Sequence, residues 1–254
     1  MIDLADYPVA LFVLSAGVLW LSARCGVIVR KRYPLNEAMH QDFAVLLGAS
    51  LTLLGLIIGF SFSMAAGRYD QRKNLEEAEA NAIGTEYLRA DLLAAPDAAK
   101  LKPMLKAYLD QRVLFYTAYD DEALVQINRR TAELQTLMWS AVLGPAAATP
   151  TPIVGLAVSG MNDVLNSQGY TQAAWWNRLP TAAWCLMVAI ALCANFMVGY
   201  GSRSAATARR LLYVFPFFIS VALAFIADID APRQGIIHVR PQNLISLAAS
   251  WRAT

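Results

Sequence analysis

The chain has 254 residues, 57% of them hydrophobic and only 16% charged, with 21 Lys and Arg against 19 Asp and Glu. A soluble domain carries roughly 25% charged residues, so this composition points to a membrane protein. A formal net charge of +2, spread along the chain without a basic face, excludes a nucleic-acid-binding surface.

The first apolar segment, Tyr7 to Val29, is a membrane span with Arg24 near its end, where a long side chain reaches the interface. Asp3 and Asp6 precede it with no Lys or Arg, and no small-x-small site follows. It therefore reads as a retained helix and not as a cleaved signal peptide.

The second segment, Phe43 to Gly67, has no ionisable side chain, and about 25 residues at 1.5 Å rise cross a bilayer core with some tilt. Arg68-Tyr69-Asp70-Gln71-Arg72-Lys73 follows without a proline, so the same helix is predicted to leave the membrane into water.

A helical soluble domain, residues 68–178, is predicted between the second and third spans, because so many residues exceed any connecting loop. Its first helix runs from Arg68 to Leu93, with Glu76, Glu77 and Glu79 read as a solvated face. A second, Ala98 to Tyr119, carries Leu101, Leu105, Tyr108, Val113 and Tyr116 as its buried stripe. Asp120-Asp121-Glu122 opens a third as cap and dipole partner. Leu124, Ile127, Thr131, Leu134, Met138 and Ala141 form its packing seam, and Gly144-Pro145 is expected to stop it. A fourth helix runs from Ile153 to Trp176.

The third span is placed at 179–202 and the fourth at 211–227, where Pro216 is expected to kink or unwind the helix. The tail, 228–254, is read as extended because turn residues interrupt it. The organisation is thus a transmembrane hairpin at 1–67, the inserted domain, a second hairpin at 179–227 and the tail. Short-loop basic residues (Arg30, Lys31, Arg32, Arg203, Arg209, Arg210) oppose Arg68, Arg72, Lys73, Arg178, Arg233 and Arg240 across the membrane, so the side on which the domain lies stays open.

Cys25, Cys185 and Cys193 lie in or beside apolar runs without CxxC spacing, which favours small membrane-buried residues over a disulfide framework or zinc site. There is no P-loop, GxGxxG, GxSxG or HExxH motif, and His40 and His238 have no ligand cluster at metal spacing. No enzyme activity, metal or cofactor is expected.

On a helical wheel centred on Phe60, the residues Leu53, Leu56, Met64, Gly67, Gln71, Ala78 and Thr85 fall within about 40° of one line. Every charge from Arg68 to Glu86 lies off it. Two readings of this uncharged face stand: a pore wall with a hydrophobic constriction, or a surface packed on neighbouring helices. Gly48, Ser50, Gly55, Gly59, Ser61 and Ser63 on other faces suit close helix packing and an oligomer core.

The run Gly59-Phe60-Ser61-Phe62-Ser63-Met64-Ala65-Ala66-Gly67-Arg68-Tyr69-Asp70 resembles the second transmembrane helix of bestrophins. The string from Arg68 to Arg89, Arg178-Leu179-Pro180, and Asp228-Ile229-Asp230 with Pro232, Gly235, Val239 and Pro241 resemble bacterial bestrophin-like membrane proteins of unassigned function. The resemblance implies an all-α membrane protein, a homo-oligomer (a pentamer in bestrophins) around a central ion path in the bacterial inner membrane. Leu56 and Phe60 match apolar neck positions, with Met64 on the same line. Thr52 matches a third neck position that is apolar in the family. Gly67, Gln71 and Arg68 fall at the pore mouth. Eukaryotic members bind Ca²⁺ through acidic residues after the last span; Asp228 and Asp230 fall there as candidate ion-binding residues. The long acidic run is missing, so calcium is not carried over. The partners expected are other copies of the chain, inorganic ions and the bilayer. The alternative is a non-conducting scaffold or sensor whose helical domain binds a partner protein through the Leu124–Ala141 seam.

Overall fold

The computed structural model describes residues 7–34, 36–202 and 205–252, without the side chains of 37, 38 and 205–211. Asp3, Asp6 and Arg203 lie outside the described residues, as do the side chains of Arg209 and Arg210.

Every regular element among the described residues is helical: α1 (Pro8–Arg32), α2 (Glu37–Arg89), α3 (Ala95–Thr117), α4 (Asp121–Ala148), α5 (Pro152–Trp176), α6 (Thr181–Gly201), α7 (Ala205–Asp230) and α8 (Gln242–Arg252). A 3₁₀ turn, Ala90–Leu92, follows α2. Among the described residues, four helical stretches are long and apolar enough to cross a membrane: Pro8–Arg32, Met39–Leu92, Pro152–Gly201 and Leu212–Asp230. With 53 residues, α2 is about 80 Å long, well over twice a bilayer core.

The chain divides into two compact units, one of Met1–Tyr69 with Arg178–His238 and one of Asp70–Asn177 with Val239–Thr254. In the first, α1 and α6 run parallel at backbone contact. A Cβ placed on Gly26 would strike the Phe196 carbonyl, and one on Gly199 the Ala23 carbonyl. Small residues let helix backbones meet where lipid provides no hydrophobic drive for association. Ser22 Oγ donates to the Leu192 carbonyl at 2.8 Å and Arg30 Nη1 to the Tyr200 carbonyl at 3.0 Å, which fixes the register. Leu19, Leu54, Ala65, Met187, Leu223 and Ile226 belong to the core of this unit.

In the second unit, Asp120 caps α4 by accepting the Ala123 N–H at 2.8 Å, and Thr151 caps α5 through the Val154 N–H at 3.3 Å. The α4 seam is consumed inside the chain: Ile127, Thr131, Leu134, Met138 and Ala141 are all buried. A partner-binding role for that seam loses its surface.

The structure corrects several sequence expectations. Pro145 does not end α4. The last turn closes through the Thr149 N–H and the Pro145 carbonyl at 2.9 Å, and the helix stops before Pro150 and Pro152, where residues preceding proline disfavour the α region. Pro96 sits in the first turn of α3, where its missing N–H costs nothing, so that helix starts at Ala95 and not Ala98. The fourth span stays helical through Pro216 and continues to Asp230. The tail is not extended throughout, because Gln242–Arg252 form α8. In α3, Val113 is only partly buried; Arg112 and Phe115 take the buried positions beside Tyr116.

Candidate functional site

The face of α2 centred on Phe60 is uncovered by its own chain. Phe60 is 61% exposed, Leu56 52% and Met64 44%. Thr52, Leu53, Gly67, Gln71, Ala78 and Thr85 are exposed or half-buried. The opposite face, through Leu54, Ser61 and Ala65, is buried. Packing within the chain therefore does not account for the uncharged line. The Thr52 hydroxyl donates to the Gly48 carbonyl of its own helix at 3.0 Å, so its hydrogen is satisfied within the helix. Glycines 48, 55, 59 and 67 have open space where a Cβ would be, so small-residue contacts at these positions are not made within the chain.

Arg68 turns off this line. Its guanidinium lies 3.9 Å from Asp230, and both side chains are largely buried. Asp230 also accepts the Leu179 N–H through both oxygens, at 3.2 and 3.0 Å, and so ties the start of the third span to the end of the fourth. Asp228 accepts the Ile236 and Ile237 N–H groups at 2.6 and 2.9 Å. Gly235 permits that turn, since a Cβ there would lie 2.5 Å from the Asp228 carbonyl. The two acids proposed from sequence as ion ligands thus act as anchors for backbone amides. Among the described residues, no three His, Cys, Asp or Glu side chains group as a metal site.

Sequence reasoning missed the interior of the second unit. Glu76 and Glu79, read as solvated, are 1% and 0% exposed, and only Glu77 of that trio faces water. Glu76 accepts the N–H groups of Asn243 and Leu244 at 2.9 and 3.0 Å and the Asn243 amide at 2.7 Å, which caps α8 with a carboxylate from another helix. Glu79 is engaged by Arg112 Nε and Nη2, the Tyr116 hydroxyl and the Thr171 hydroxyl. Burial opposes the Arg112 charge, yet the adjoining Glu79 carboxylate holds the guanidinium above its ordinary value. Burial, reinforced by Glu79, pushes the Tyr108 and Tyr116 phenols up. The missed signal is spacing. Positions 72, 76, 79, 83 and 86 recur every three or four residues, a helix-core stripe that happens to be mostly charged.

An all-helical membrane protein with an exposed apolar helix face and a polar-cored helical unit is the class that this geometry defines. A family model for the Bestrophin-like domain matches residues 9–244, and the chain belongs to that family. Solved structures of a bacterial bestrophin homologue from Klebsiella pneumoniae share the fold. One single-substitution variant of that homologue has a TM-score of 0.65 at 13% identity, covering 94% of this chain and 99% of that one. A second such variant has a TM-score of 0.64 at 15% identity, covering 94% and 96%. The structure phased with zinc has a TM-score of 0.63 at 13% identity, covering 93% and 98%. No curated protein matches the sequence.

Proposed function

We propose that the protein is an oligomeric ion channel of the bacterial inner membrane, a pentamer whose second transmembrane helices surround the ion path. The observation that carries this reading is the α2 face itself. Leu56, Phe60 and Met64 form an apolar line that the protomer leaves bare, continuous with Gly67, Gln71, Ala78 and Thr85. In this reading, copies of α2 stack rings of Thr52, Leu56, Phe60 and Met64 around one axis. A narrow ring of apolar side chains gates by excluding water. Beyond it, Gly67 widens the path and Gln71 wets it, with Arg68 held back beside Asp230 at the mouth. The open glycines of α2 suit close approach of neighbouring subunits. Membership of the Bestrophin-like family supports the same reading. The soluble helical domain is read as an insertion between the two transmembrane hairpins.

Reconstitution of the purified protein in planar bilayers tests conduction. Single-channel currents whose amplitude or open fraction changes in Phe60→Ala support the assignment. Silence of both proteins over a range of voltage, pH and Ca²⁺ contradicts it.

A further inference from the structure

The acids on the inner face of α2 are not equivalent. Glu76 and Glu79 each accept several hydrogen bonds, whereas Glu86 is fully buried with no hydrogen-bond partner at either carboxylate oxygen. It sits in a notch on α5 made by Gly160. A Cβ at that position would strike Glu86 Oε2 and lie 2.6 Å from Arg89 Nη1.

Among the described residues, Arg89 from α2 and Asp163 from α5 are the charged groups that face Glu86. These lie 3.9 Å from each other, and Asp163 is largely exposed, so part of the Arg89 charge is directed to the rim. Asp91 of the 3₁₀ turn is occupied by Lys102 of α3 at 2.6 Å. A buried carboxyl that accepts no hydrogen bond from the protein favours the neutral acid. Burial pushes the Glu86 carboxyl up to about 8, against the pull of the Arg89 guanidinium and with some help from Asp163.

We propose that Glu86 is a proton-operated latch on the crossing of α2 and α5. The neutral acid fits the Gly160 notch and holds the crossing closed; ionisation drives the side chain toward water and opens it. The sign follows from linkage. Below an ordinary carboxyl value of 4.5 both forms hold the proton and the crossing is at its most stable. Between 4.5 and about 8 only the closed form keeps it, so the opening equilibrium rises by up to about tenfold per pH unit. Above about 8 both forms are ionised and the loss is complete.

Hydrogen exchange of the full chain in detergent, corrected for intrinsic amide chemistry, is to be compared at about pH 6 and about pH 8.5. In the wild type, opening of the α5 amides around Gly160 is expected to increase more than about tenfold at the higher pH. Glu86→Gln, which keeps the shape without the charge, should remove that dependence, and Asp163→Asn should move the midpoint to lower pH. Infrared spectra at neutral pH should show a protonated carboxylic acid band in the wild type that Glu86→Gln lacks, a readout of the wild type that does not depend on how well the variant folds. A wild type without the band, or α5 exchange with the same pH dependence in Glu86→Gln, overturns the proposal.

Discussion

Glu79 on α2 and Arg112 on α3 form an ion pair in which neither side chain is exposed. Two charges taken from water repay their desolvation only when geometry and further hydrogen bonds are good, and here Tyr116 and Thr171 supply those bonds. Removal of one partner strands the other. Arg112→Met is expected to cost about 3–5 kcal/mol, read as a lower midpoint of thermal unfolding in detergent. The double substitution Glu79→Leu with Arg112→Met should recover most of that loss, because no buried charge is left unpaired.

Glu76 predicts the state of the C-terminal helix. Its carboxylate accepts two of the amides at the start of α8, and loss of a cap costs about 0.5–2 kcal/mol. An 11-residue helix is marginal on its own. Glu76→Ala should therefore increase cleavage of the Gln242–Arg252 segment under limited proteolysis before the rest of the unit is cut. Unchanged cleavage would show that buried Leu244, Leu247 against Gly84 and Trp251 stacked on Tyr87 hold α8 without the cap.

The glycines of the membrane helices separate into two kinds. Gly26 and Gly199 meet backbone on the facing helix, so Gly199→Leu should abolish recovery of folded protein from detergent. Gly48 and Gly59 face open space within the chain, so Gly59→Leu should leave folding of the chain intact. Size-exclusion chromatography with light scattering is the check. In the channel reading, Gly59→Leu yields a smaller assembly at normal protomer yield.

Asp228 and Asp230 predict the integrity of the junction around the third and fourth spans. Asp230→Ala strands the buried Leu179 amide and releases Arg68, while Asp228→Ala frees the Ile236 and Ile237 amides. Each lost charge-assisted bond is worth about 1.5–3 kcal/mol. Both variants should unfold at lower temperature, and added Ca²⁺ should not restore either the variants or the wild type to higher midpoints.

The helices were largely legible because their apolar runs and caps act locally: Asp120 caps α4 as its position ahead of a periodic segment dictates. The Phe60 face was legible as a line but not as a surface, since the same pattern suits burial or exposure. The polar core was not legible. Arg112 and Glu79 are charges at core spacing, and charge alone argues for water; only the facing helix supplies the partner that makes burial tolerable. α8 was hidden for a related reason, because its N-terminal cap comes from Glu76, far away in sequence. Gly144-Pro145 misled because Pro145 withholds a single N–H, while the Thr149 N–H still closes the last turn on the Pro145 carbonyl.

In the channel reading, Phe60 faces a lumen shared by several copies of α2. Imaging of single particles of the purified protein tests this most directly. A five-fold ring with a hollow axis, and the Phe60 side chains converging on it, is the predicted result. Two-fold particles without a lumen, or Phe60 turned toward lipid, would contradict it.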